Sequence, residues 1–352
     1  MTPRTLAFLA AATAISVAAA GLAVSREPGF MTTARGAIVF SRLDARINDV
    51  AGIEIRTDNR TMTMSLGDAG WTLTESGGYA VRPEVVKNAI IGIAGLTYVE
   101  PKTRLSDNYG KLDLRDPVIK GSRSRVVRLF ARNGDLLAET ILGKARYNLP
   151  GPITEGVYIR NPGDAQTWLA AGQPNISRLP ADWLQRKIVN IKPERMKSAE
   201  IRHPDGEVVR VSKSLPSDRG FSLADIPDGK QLKYDSDPAN IATVLEDFEL
   251  DDVRPLSGIS FPTEKTTTAQ FLTFDGLNIA ITMITRKVDG ADLPEYWVKV
   301  SASSADGSSE RDTEARDINM HTSPWAFRIP AYKATRLNKR LPELLKDRKP
   351  TG

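Results

Sequence analysis

The 352-residue chain is poor in side chains that could move a proton or hold a metal near neutral pH. It contains no cysteine, which excludes a thiol nucleophile, cysteine-ligated zinc, an iron–sulfur cluster and a disulfide framework. Its two histidines, His203 and His321, are far apart in sequence and neither has a partner at ligand spacing. His203 precedes the turn Pro204-Asp205-Gly206 and reads as a surface turn residue; His321, before Pro324, reads as part of a polar loop. Gly143-Lys144 lacks the earlier glycine and the following Ser or Thr of a phosphate loop, and no Gly-x-Ser-x-Gly elbow occurs.

Three groupings could still carry chemistry. Glu246, Asp247, Glu249, Asp251 and Asp252 cluster after an apolar stripe, where carboxylates oppose a helix dipole. They read as a solvated helix exit, with a calcium or basic-partner site as the functional alternative, although the spacing fits no EF-hand loop. Arg123, Arg125, Arg128 and Arg132 read as a charged edge strand, with an anionic polymer or lipid patch as the alternative. Trp71, Trp168, Trp183, Trp297 and Trp325 recur at element starts, as core-packing residues do, with a sugar-stacking platform as the functional alternative. No residue is therefore assigned as catalytic, cofactor-binding or metal-ligating.

The elements that would position these groups repeat along the chain. Val50, Ile53, Ile55 and Arg56, then Trp71, Leu73, Tyr79 and Pro83, are echoed by Met196, Ala199, Ile201 and Arg202, then Phe221, Leu223, Tyr234 and Pro238. Ile53 and Ile55 alternate, as do Met62, Met64 and Leu66, with Asp58-Asn59 as the turn, which predicts a half-buried antiparallel hairpin. Pro83 opens a helix, and Asp237-Pro238 opens another with Ile241, Val244, Leu245 and Phe248 along one face. Further strands are predicted near 126–131, 136–142 and 157–160, and helices near 181–188 and 332–346. The expected class is α+β: an N-terminal transmembrane helix, then two tandem diverged repeats of mostly antiparallel sheet with covering helices. The expected divisions are residues 1–30 as anchor or signal segment, 36–192 as the first repeat, and 193–352 as the second with a basic C-terminal helix.

From Leu6 to Val24 there are 19 uncharged residues preceded by Arg4, about the length a helix needs to cross a bilayer. Nine of them are alanine and Ala18-Ala19-Ala20 suits a cleavage site, so a retained anchor and a cleaved signal both fit. Either places the body of the chain beyond the inner membrane, in the periplasm. The formal charge of +5 resides in residues 331–352, where Lys333, Arg336, Lys339, Arg340, Lys346, Arg348 and Lys349 face only Glu343 and Asp347. A basic tail without a groove-reading motif reads as a solvated helix end, with anionic envelope polymer or lipid, or an acidic protein face, as the functional alternative and no nucleic acid to meet.

In order, Trp71-x-Leu73, Tyr109-Gly110-x-Leu112 running to Pro117, Leu142-Gly143, Val157-Tyr158-Ile159-Arg160 and Trp183-Leu184-x-Arg186-x-Ile188 resemble a bacterial family catalogued as domain of unknown function 4340. In the second copy the Tyr-Gly segment is reduced to Ser257-Gly258-Ile259 before Pro262. The resemblance implies a membrane-anchored extracytoplasmic companion of a gliding-motility-type ABC transporter, and it supplies no catalytic residue. The expected function is a noncatalytic accessory or scaffold, with ABC transporter membrane subunits as partners. The alternatives are an envelope glycan- or lipid-binding module and, after it, a carboxylate-dependent hydrolase.

Overall fold

A computed structural model describes residues 35–348 except 151, 291, 306 and 308, and the expected anchor at residues 1–30 lies outside the described residues. Among the described residues no helix is long and apolar enough to cross a membrane. The fold is α+β with largely antiparallel sheets and few helices. The described chain divides into two compact units, one of residues 35–66 and 83–178, the other of 67–82 and 179–348.

In the first unit, α1 (Ser41–Asp44), β1 (Val50–Arg56) and β2 (Thr61–Gly67) come first, and the hairpin β3 (Gly70–Leu73) and β4 (Tyr79–Ala80) that follows belongs to the second unit. Then come α2 (Pro83–Ala94), β5 (Thr97–Pro101), β6 (Arg125–Ala131), β7 (Leu136–Tyr147), β8 (Glu155–Arg160) and β9 (Thr167–Ala171). The sheet order is β2-β1-β6-β7-β8-β9-β5, antiparallel throughout. The alternation read from sequence sets its core: Ile53 and Ile55 lie opposite Met64 and Met62 on one side and Leu129 and Val127 on the other, all buried. The helix expected at Pro83 forms and buries Val86, Ala89, Ile90 and Ile93.

The second unit continues with β10 (Lys187–Val189), β11 (Met196–Arg202), β12 (Val208–Ser212), β13 (Ser222–Leu223), β14 (Lys230–Leu232), α3 (Asp237–Ala242), β15 (Phe248–Glu249) and β16 (Asp252–Pro255). It ends with β17 (Thr266–Thr273), β18 (Leu277–Arg286), β19 (Glu295–Ser304), α4 (Ser309–Thr322), β20 (Trp325–Ile329), α5 (Ala331–Leu337), α6 (Leu341–Leu344) and β21 (Leu345–Asp347). Its main sheet runs β13-β12-β11-β17-β18-β19-β20-β16. Each sheet has a register shift early in its first long strand, at Val50/Gly52 of β1 against β6 and at Met196/Ser198 of β11 against β17, and the first sheet has others at Tyr98/Glu100, Leu129/Phe130 and Leu142/Ala145.

Four expectations are corrected here. Residues 181–188 are not helical: Pro180–Asp182 is a single 3-10 turn and β10 follows. The chain stays extended because its backbone is taken up by neighbours. Arg82 donates its N–H to Trp183 O at 2.8 Å, Gln185 donates to Ala80 O at 3.0 Å, and β10 pairs with β15. The basic tail is not one helix, because the chain turns extended after α6 so that β21 can pair with β14. The apolar stripe after Asp237 outlasts its helix: α3 ends at Ala242, yet Val244, Leu245 and Phe248 are still fully buried. Finally, β6 is central, between β1 and β7, and not an edge strand.

Candidate functional site

One face of the first sheet is covered by residues 105–122. A 3-10 segment, Ser106–Leu112, ends where Asp113 takes a left-handed backbone (φ 55) and Leu114 donates its N–H to Tyr109 O at 2.9 Å. Leu114, Leu112 and Tyr109 then pack on Val126, Ile141, Tyr158 and Leu169. The glycine of Leu142-Gly143 has its reason here, since a Cβ at Gly143 would lie 2.2 Å from Leu112 O. Only a residue without a side chain lets the covering backbone come so near the strand.

Arg160, at the end of β8, pins this cover. Its guanidinium lies over the Tyr109 ring, 4.7 Å from the centroid, a cation–π contact. Its Nε donates to Leu114 O and one Nη to Asp164 O, both at 3.4 Å, while Tyr109 Oη donates to Ala165 O at 2.7 Å. Arg160 is only 9% exposed. Beside it lies a cavity of about 170 Å3 lined by Arg56, Arg128, Arg160, Asp116 and the apolar Val126 and Ile141, with Pro117, Val118, Pro162 and Gly163 as walls. Arg128 is held between two carboxylates, Nη1 donating to Glu54 at 2.5 Å and Nε to Glu139 at 2.6 Å.

The other arginines singled out from sequence do not gather into a patch. Arg123 and Arg132 lie outside β6 and are exposed. Arg125 is half-buried on the face opposite Val126 and Arg128, and among the described residues its Nε has no hydrogen-bond partner. Burial, and secondarily the charge of Arg178, lowers its pKa to about 10. Arg178 itself is satisfied by Asp58 at 2.9 Å and Ser122 O at 3.2 Å.

In the second unit the acidic run has structural partners. Lys333, 4% exposed, donates from Nζ to Val244 O at 2.9 Å and Glu246 O at 2.5 Å, capping the chain after α3. Burial lowers its pKa, and Arg336 adds to that, against the opposing charges of Asp247, Glu246 and Glu249. Arg186 faces Glu249 at 3.3 Å and Asp251 at 3.9 Å, and Arg254 pairs with Asp252 at 3.2 Å. Among the described residues no group of acidic residues or histidines is placed to hold a metal ion.

The histidines also differ from their sequence reading. His203 is 4% exposed, not a surface residue, and its Nε2 lies 3.1 Å from Lys339 O. His321 lies in α4 and not in a loop, with Nδ1 and Nε2 on the carbonyls of Asp317 and Ile188. Of the tryptophans, Trp183 and Trp297 are buried, while Trp71, Trp168 and Trp325 are half-buried. Trp325 meets Tyr79 edge-on at 5.0 Å. Burial of that tyrosine raises its pKa to about 12, and its hydroxyl donates to Gln185 O. Several of the basic tail residues are engaged: Arg340 joins Asp205 and Glu207, both at 2.6 Å, Lys346 donates to Lys233 O at 3.3 Å, Arg336 lies over the Tyr332 ring, and Lys333 is the cap described above.

Sequence reasoning did not single out the Tyr109–Arg160 contact or the cavity. The available signal was Gly143 inside a strand pattern, which marks close backbone approach. The architecture is that of an α+β protein of two antiparallel-sheet units. Residues 71–270 match the family described as Domain of unknown function (DUF4340), and the chain belongs to it. No curated protein and no solved structure matches the chain.

Proposed function

We propose that this is a noncatalytic accessory or scaffold protein of an ABC-type transport system, held at the inner membrane by its N-terminal segment with the two units in the periplasm. The anchor reading rests on Leu6–Val24, and the transporter association on the family resemblance. The observation that carries the noncatalytic reading is where the reactive side chains go. Both histidines bind backbone carbonyls, Glu249, Asp251 and Asp252 face arginines, and Glu246 and Asp247 are exposed at the surface beside the buried Lys333. A general acid or base needs its ring or carboxyl free to meet a substrate.

We further propose that the two units are tandem diverged copies. Supporting this, β2-β1-β6-β7-β8-β9-β5 and β12-β11-β17-β18-β19-β20-β16 follow the same chain-order pattern. The register shift falls at the same place in the first strand of each, at Val50/Gly52 and Met196/Ser198. A cation also covers an aromatic ring in each, Arg160 over Tyr109 and Lys299 over Phe261 at 5.5 Å. An envelope glycan- or lipid-binding module is the second reading, favoured by the arginine-lined cavity.

Affinity purification of the tagged chain from native membranes in mild detergent, followed by mass spectrometry, tests the accessory role. Transporter membrane subunits are expected to co-purify. Recovery of the chain alone across several detergents refutes it.

A further inference from the structure

The register of the first sheet puts two guanidinium groups at the ends of one apolar row. Arg56 lies opposite Val126, Val126 opposite Ile141, and Ile141 opposite Arg160. These four residues share a face, with the end strands about 14 Å apart at normal sheet spacing, so two long arginine side chains can lean toward a common centre. Arg128, two residues along β6 from Val126, supplies a third guanidinium on the same face.

The charges of these arginines are unequally met. Arg128 has Glu54 and Glu139. Arg160 is buried, yet among the described residues it makes no ion pair, and its two carbonyl bonds are long at 3.4 Å. Arg56 is exposed and likewise makes no ion pair among the described residues. A buried cation without a counter-charge is costly, and the cavity beside it is where a counter-charge would stand. Its volume of about 170 Å3 is several times the ~30 Å3 share of one liquid water, enough for a four-oxygen anion.

We propose that this cavity is an anion site that takes a phosphoryl group, with Arg160 and Arg56 as the principal donors and Arg128 as a third. Planar guanidinium forks suit phosphate oxygens. Asp116, the one carboxylate on the wall, already accepts the Val118 N–H at 3.1 Å and can also accept from a protonated phosphoryl oxygen. The matching row of the second unit, Arg202–Thr268–Thr282–Lys299, differs at both ends: Arg202 pairs with Glu200 at 2.9 Å, and Lys299, in the place of the buried Arg160, is exposed. The site is independent of the accessory role, and it could be occupied by a soluble phosphate ester or by a lipid headgroup.

The test is calorimetric titration of the full chain in mild detergent with inorganic phosphate, at fixed ionic strength and with chloride as control. Saturable binding is expected with phosphate only. Arg56→Ala, an exposed change that leaves the melting temperature in place, should weaken it about tenfold or more, and Arg160→Lys should weaken it with the fork geometry lost. Two further arms separate the sources. Glycerol 3-phosphate binding without vesicle binding identifies a soluble ester, whereas phosphatidylglycerol vesicle binding lost in Arg56→Ala identifies a headgroup. Absence of saturable phosphate binding overturns the proposal, as does affinity unchanged in both arginine variants.

Discussion

Gly143→Ala is the most exacting perturbation the first unit offers. The added Cβ would stand 2.2 Å from Leu112 O, against 3.4–4 Å for ordinary contact, so the covering segment or the strand must move by more than about 1 Å. The atom met is backbone, not the end of a flexible chain, and its neighbour Leu114 is fully buried with the cover packed on Val126 and Ile141. Overpacking of this kind costs about 1–3 kcal/mol, and lifting the cover also separates Tyr109 from Arg160, a contact worth about 1 kcal/mol. The expected loss is therefore about 2–4 kcal/mol in urea denaturation. Gly258→Ala is the control, because among the described residues its Cβ would meet nothing within 4 Å and its backbone is not left-handed. That variant should be neutral or gain up to about 1 kcal/mol by stiffening the unfolded chain. Equal, small effects from the two changes would refute the close-approach account of the Leu142-Gly143 motif.

Arg125→Met should stabilise the protein or leave it unchanged. Holding the guanidinium's pKa down to about 10 corresponds to an upper bound of about 3 kcal/mol of differential cost, and methionine keeps much of the packing. A loss above about 1 kcal/mol in denaturant melts would show that its Nε has a partner in solution. Lys333→Met should cost about 2 kcal/mol, because two buried carbonyls lose their donor, and thermal melting would register it. Acid should also destabilise the fold. Arg210 foremost, then Arg202, holds the Glu200 carboxyl below the usual range, and Asp275 and Glu295 are lowered against the opposing effect of their burial. The unfolded chain then binds more protons, so this stabilisation is present above about pH 4.5 and is lost as pH falls further. Melting temperatures flat between pH 6 and 3 would contradict it.

Where one face of a strand is buried, the sequence was readable. Ile53, Ile55, Met62 and Met64 alternate, and the hairpin, its turn and its core face follow from that period. The strand of Arg125 and Arg128 misled because its outer face is filled by ions. The row Glu54–Arg128–Glu139 satisfies charge across three central strands, and a central strand with such a face has the composition of an edge. Residues 181–188 misled for another reason, since Trp183, Leu184 and Ile188 are buried through backbone pairing to distant segments, which leaves no period to read. The site was invisible because Tyr109, Gly143 and Arg160 come from separate elements. Their meeting depends on strand register and on Asp113 adopting the left-handed turn.

The two units also suggest how one covering device was retained and altered, on the duplication proposed above. Ile141 faces Arg160, and Thr282 faces Lys299. Two residues further along each strand stand Gly143 in one unit and Ile284 in the other. Glycine admits the backbone of the cover; isoleucine fills that space, and Leu256, Ile259 and Phe261 gather near it with Trp297 instead. The second unit thus replaces a backbone contact with side-chain packing and keeps the cation over the ring. Arg202 there has Glu200 beside it, while Glu54, at the matching place in the first unit, is turned to Arg128, and Arg56 makes no ion pair among the described residues. Replacing Arg128 by glutamine removes the third donor and also releases Glu54 toward Arg56, so phosphate binding should weaken, and adding Glu54→Gln to Arg128→Gln should restore part of it. Phosphate affinity no higher in the double variant than in Arg128→Gln would show that the two ion networks on this face are not linked.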